Sequence, residues 1–164
     1  MTKSSRLRGA VLLWLGWPFL ALAQVANQTP AKPDYSKEAF VLEQSSDKFK
    51  FQNYGTSTRE LRMRVRVQSD AGVQQFGMLK FAYQSSSQSF SIDYVRVRKS
   101  DGRLVDSPPD NFQDMPADVT RSAPFYSDLK EKHVAVKGLG PGDILKYQVH
   151  WQSDKPPAPG QFWL

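Results

Sequence analysis

Cysteine is absent from all 164 residues. Disulfides, thiolate-held metals and a thiol nucleophile are thereby excluded within this chain. Histidine is nearly absent, with only His133 and His150. Both lie in alternating stretches, in parity with Ala135 and Gln148 rather than with a carboxylate cluster, and read as ordinary strand histidines. No GxSxG turn is present to raise a serine nucleophile. The run GLGPGD at 138–143 lacks the lysine–hydroxyl pair of a phosphate loop and opens a strand, so it reads as a turn. Five aspartates (Asp101, Asp106, Asp110, Asp114 and Asp118) crowd one segment without the alternating ligands that a calcium loop needs around its glycine. The reading is of a protein that is not an enzyme, with no cofactor and no metal.

Long apolar runs are confined to the start. Lys3, Arg6 and Arg8 precede the apolar stretch GAVLLWLGWPFLAL at 9–22, and Ala21-Leu22-Ala23 supplies the small residues that signal peptidase reads. A spanning helix needs about 20 apolar residues; this run is shorter and carries Pro18. Residues 1–23 therefore read as a signal peptide, with an uncleaved anchor as the alternative. Residues 24–37 form a polar spacer, and residues 38–164 a single domain in an exported, periplasmic or secreted protein. No stable membrane span is expected after cleavage.

A strong charge excess is also missing. The leader holds three of the 22 Lys and Arg residues and none of the 16 acids, leaving 19 against 16, or +3. That is too mild for a nucleic-acid domain, so no nucleic-acid partner is expected.

What the chain has is alternation. In RELRMRVRVQ, at 59–68, arginines occupy every second position with aliphatic residues between them. On a strand, Leu61, Met63, Val65 and Val67 turn inward while Arg62, Arg64 and Arg66 turn to water. Burying each aliphatic group stabilises by roughly 1.5–3 kcal/mol at most. Neighbouring guanidinium groups in water repel by only about 0.6 kcal/mol. Burial wins, and the arginines read first as a solvated face, second as an anion-binding surface.

Similar patterns predict strands at 38–44, 48–53, 75–83 and 90–99. In the last of these, Phe90, Ile92 and Tyr94 share one parity and Val95 and Val97 the other, which predicts a β-bulge near Asp93-Tyr94. Turns are expected at 53–56, at Asp70-Ala71-Gly72, in the serine-rich 84–89 and at 100–103. HVAVKGLGPGDILKYQVHW, at 133–151, reads as a hairpin. Ser107-Pro108-Pro109-Asp110 resembles a helix start that Pro116 soon stops, with Phe112 and Met115 folding back onto the core. In APFYSDL, at 123–129, Phe125 and Tyr126 either line a pocket with Asp128 as polar partner or pin the loop by burial. The fold class is all-β: a mostly antiparallel, sandwich-like domain with at most one short helix, preceded by the signal peptide.

The segments VRVRKSDG (95–102), APFYSDL (123–129), KHVAVKGLGPGD (132–143) and APGQFW (158–163), in this order, resemble a bacterial domain of unknown function, number 3857. That domain is found N-terminal to transglutaminase-like domains in exported proteins. The resemblance spans most of residues 38–163. It implies a β-sandwich-like module that precedes a Cys-His-Asp domain of papain-like kind, which is absent here. The abrupt apolar ending Gln161-Phe162-Trp163-Leu164 predicts a truncated member or fragment. The expected role is a non-catalytic accessory or interaction module whose partner is a transglutaminase-like domain or protein. The alternative is an envelope glycan- or anion-binding sandwich. Arg62, Arg64, Arg66, Phe125, Tyr126 and Asp128 are the candidate ligand or partner surface.

Overall fold

The computed structural model describes residues 33–123, 125 and 128–155. Its strands are β1 (Phe40–Phe51), β2 (Ser57–Val67), β3 (Met78–Gln84), β4 (Gln88–Arg98), β5 (Leu104–Asp106), β6 (Phe112–Pro116), β7 (Leu129–Ala135) and β8 (Ile144–Ser153). Two short helical segments, α1 (Asp70–Phe76) and α2 (Val119–Ser122), interrupt them. The strands form a five-stranded sheet in the order β1-β2-β8-β4-β5 and a three-stranded sheet in the order β3-β7-β6. Every described pairing is antiparallel. The expected all-β, sandwich-like class is the one observed.

The core lies between the two sheets and follows the period of two. Val65 and Val67 of β2 are fully buried, with Leu61 and Met63 packed beside them. Val95 and Val97 come from β4, and Leu145, Tyr147, Val149 and Trp151 from β8. The smaller sheet contributes Leu79, Phe81 and Val134. Phe81 meets the rings of Phe90, Tyr147 and Trp151 with centroids at 5.3, 5.6 and 6.1 Å, so aromatic packing joins the layers.

Several expectations change. The strands expected at 38–44 and 48–53 are one strand, β1, which pairs with β2 across Ser45, Ser46 and Asp47. Pairing with β2 satisfies that polar stretch's backbone and overrides its weak strand propensity. β1 keeps its faces by a register shift between Leu42 and Gln44, which makes Glu43 the bulged residue. The bulge expected in β4 is present between Ile92 and Tyr94. It leaves Ile92 opposite core residue Val149 and carries Tyr94 to the outer face, opposite Gln148.

Asp70-Ala71-Gly72 is no simple turn: it opens α1, whose Val73 and Phe76 pack against the core one helical turn apart. Phe76 meets Phe40 edge-on at 4.8 Å. The next strand therefore starts at Met78 instead of 75. The helix expected after Ser107 shrinks to a 3-10 turn at Pro109–Asn111. There the buried Ser107 hydroxyl accepts the Lys137 amide at 2.9 Å rather than capping a helix. Phe112 packs on the core, whereas Met115 stays exposed because it faces outward opposite Glu131.

The expected β7–β8 hairpin is instead a crossing between sheets, since β7 pairs with β3 and β6 while β8 pairs with β2 and β4. The connecting loop is pinned by Asp143, which is 1% exposed. Its carboxylate accepts Lys99 Nζ at 2.5 Å and the Gly140 amide at 2.8 Å. Gly138 and Gly142 supply the positive φ values, 70° and 87°, that the turns require.

Candidate functional site

The outer face of the five-stranded sheet carries the predicted arginines. Arg62, Arg64 and Arg66 stand outward on β2 with side chains 35–46% exposed. Register places Arg64 opposite Lys146 of β8, and Lys146 opposite Arg96 of β4. The row continues to Gln44 on one side and Asp106 on the other. Three cations thus stand side by side at strand spacing, about 4.8 Å apart. β4, which carries Arg96, does not lie next to β2; β8 lies between them and supplies the middle cation.

Carboxylates hold this face from its margins. Glu43, turned outward by the β1 bulge, takes Arg64 at 2.6 Å and also meets Arg66. Asp106 takes Arg96 Nε at 2.5 Å, and Glu60 takes Arg62 at 2.9 Å. Lys146, in the middle of the row, forms no ion pair with any described residue. Beside it lies a shallow basin of about 220 Å³ lined by Gln44, Arg62, Met63, Arg64, Tyr94 and Lys146. The Arg96 guanidinium rests over the Tyr94 ring at 5.8 Å. Lys99, just past β4, pairs with Asp143 and does not join the row.

The histidines differ from expectation. His150 bonds Asp93 at 2.8 Å and lies 3.9 Å from Glu60; His133 bonds Glu131 at 2.8 Å. Each therefore faces a carboxylate. The signal was parity: Asp93 follows inward-facing Ile92 and so stands on the outer face with His150, and the β4 bulge carries Tyr94 there as well. Among the described residues, neither ring is hydrogen-bonded to a hydroxyl.

The crowded aspartates are dispersed into separate contacts. Asp101 takes Arg103, Asp106 takes Arg96, and Asp114 takes both Tyr83 and Lys132. Burial would raise the Asp114 carboxyl, but the bonds from Lys132 and Tyr83 outweigh it and hold the group below the usual range.

The second predicted patch is not joined to the first. Phe125 is 99% exposed, so it neither lines a pocket nor pins the loop by burial. Asp128 ties its loop to the β3–β4 turn: its carbonyl accepts the Ser85 amide and hydroxyl, and its carboxylate accepts the Ser86 hydroxyl at 2.6 Å. Tyr126 lies outside the described residues, as do the leader, most of the spacer and the apolar ending.

Comparison with known proteins agrees with this architecture. A solved structure from Parabacteroides distasonis, described as a "putative protease", superposes with a TM-score of 0.67 at 21% sequence identity. The match covers 72% of this chain and 23% of that one, and at such identity it is a likeness of fold. No curated protein matches the sequence. Residues 53–164 match the domain of unknown function with solved structure known as DUF3857. This chain, whose β2-to-β8 core lies within the matched segment, belongs to the DUF3857 family.

Proposed function

We propose that the chain is a non-catalytic interaction module of an exported protein, acting beside a transglutaminase-like or protease-like domain. The observation that carries this reading is the share of length. A sandwich of this shape makes up 23% of a longer protein described as a protease, leaving most of that protein to other parts. The leader pattern at 1–23 supports export to the periplasm. Tagged full-length chain, cross-linked in the envelope of its own host, tests the reading by mass spectrometry of captured proteins. A transglutaminase-like or protease-like domain enriched over an untagged control is expected. Its absence from the captured set overturns the proposal.

A second reading, an anion- or glycan-binding face, is favoured by one observation: Lys146 stands between Arg64 and Arg96 with no ion pair to any described residue. Polyuronate, a glycan carrying a carboxylate on every ring, is a suitable probe. Lys146→Gln removes a charge that forms no ion pair with any described residue. It should weaken retention by about two- to fivefold, the equivalent of an exposed charge pair worth roughly 0.5–1 kcal/mol, with unchanged melting temperature. Equal retention of variant and parent rejects this reading.

A further inference from the structure

The opposite face of the same sheet carries a second, chemically different feature at its Phe51–Ser57 end. Three strands cover five, and β1 is exposed along most of its length. Two inner-face rows run across the strands here. Register aligns Phe49, Arg59, Trp151 and Phe90 in the deeper row. It aligns Phe51, Ser57, Ser153 and Gln88 in the outer one. Between them and β3 opens a cleft of about 190 Å³.

Arg59 is an anomaly in the aliphatic inner series that runs from Leu61 to Val67. Its guanidinium lies over Trp151 at 4.7 Å and Phe49 at 5.2 Å. Asp47 holds it through Nε at 2.9 Å and Nη2 at 2.6 Å, and no described residue takes the Nη1 donors. Asp47 also cancels its charge. Trp151 is fixed in turn by donating to the Ala82 carbonyl at 2.9 Å, and Gln88 by donating to the Ser153 hydroxyl at 3.2 Å. The cleft is therefore preorganised, electrically neutral, aromatic on its floor and hydroxyl-bearing at its rim.

The neighbouring hairpin tip adds a strained backbone. Tyr54 sits at φ 71° with 89% of its surface exposed, although a tyrosine disfavours that region. Phe49 and Phe51, stacked at 6.4 Å, remain 41% and 43% exposed.

We propose that this cleft binds a neutral sugar ring. A pyranose has an apolar C–H face, which suits the Phe49 ring, and a hydroxyl edge, which suits Ser57, Ser153, Gln88 and Arg59 Nη1. Among the described residues, Ser57 Oγ and Arg59 Nη1 have no hydrogen-bond partner, and a wholly apolar segment would cover both without supplying one, a costly outcome in a closed contact. An anion has a better site on the outer face, beside Lys146. The inference is independent of the module reading and of the outer-face basin.

Nitrogen-15 NMR of the full chain tests it through the Trp151 indole N–H and the Arg59 Nε–H. The probes are chitotetraose, cellohexaose and maltohexaose. At least one should shift both signals saturably. Phe49→Ala should weaken that sugar about tenfold, as expected for losing a stacked ring, and Ser57→Ala should weaken it as well, while Lys146→Gln should bind as the parent does. No saturable shift with any of the three sugars overturns the proposal. So does equal binding by Phe49→Ala and Ser57→Ala. A peptide copying residues 158–164 that shifts these signals and excludes the sugars also overturns it, in favour of a polypeptide occupant.

Discussion

Tyr83 shows how a single side chain links packing to pH. Burial first, and then its bond to Asp114 at 2.8 Å, push its hydroxyl up from 10.0 to about 12. Between those values the unfolded chain has lost the proton while the native chain keeps it. The stabilisation is therefore complete below pH 10 and disappears as pH rises toward 12. In chemical denaturation, Tyr83→Phe should show a shallower loss of midpoint over that window than the parent. Part of the slope will remain, because burial also raises Tyr147. Identical slopes in both proteins would deny Tyr83 this role. Asp114 works at the other end of the scale: its depressed carboxyl stabilises above pH 4 and ceases to do so as pH falls through its native value.

At the scale of elements, what was legible depended on whether a feature changed side-chain parity. The aliphatic–arginine alternation of β2 assigned both its faces correctly, because one face is buried and register then has little freedom. The β4 bulge announced itself by the switch from Ile92 to Val95. A similar switch exists in β1, where Phe40 and Leu42 are even-numbered and Phe49 and Phe51 odd-numbered. The polar run Ser45-Ser46-Asp47 disguised it as a break between strands. Partners were less legible than faces, since alternation says which side a residue takes and nothing about which strand lies next to it. That is why Lys146 was missed, why β7 and β8 were expected to pair, and why Asp93 was not placed beside His150.

The short helix α1 was hidden by Gly72, which reads as a turn residue but serves close approach. A Cβ there would stand 2.3 Å from the Ala39 carbonyl oxygen, on the backbone entering β1. Gly72→Ala should cost about 1–3 kcal/mol, the range for overpacking a tight contact. A fall in melting temperature checks this, and an unchanged value would mean that α1 sits farther from β1.

At the scale of the whole molecule, two sheets of unequal width create two different surfaces from one alternating pattern. The outer face of the wide sheet gathers cations in a row, and Glu43 and Asp93, the bulged residues of β1 and β4, stand on it as well. The inner face is covered along β8 and β4 and left open toward β1, where aromatic and hydroxyl groups collect. Both surfaces depend on β2 keeping Arg62, Arg64 and Arg66 on one side and Leu61, Met63, Val65 and Val67 on the other. Equilibrium unfolding of two adjacent substitutions measures that separation most directly. Val65 is 0% exposed, and Val65→Asn should cost at least about 3 kcal/mol by combining lost burial with an unsatisfied amide. Arg64→Gln, at a partly exposed surface ion pair, should cost no more than about 1 kcal/mol. Equal losses for the two variants, or a larger loss for Arg64→Gln, would contradict a strand with one dry face and one wet one.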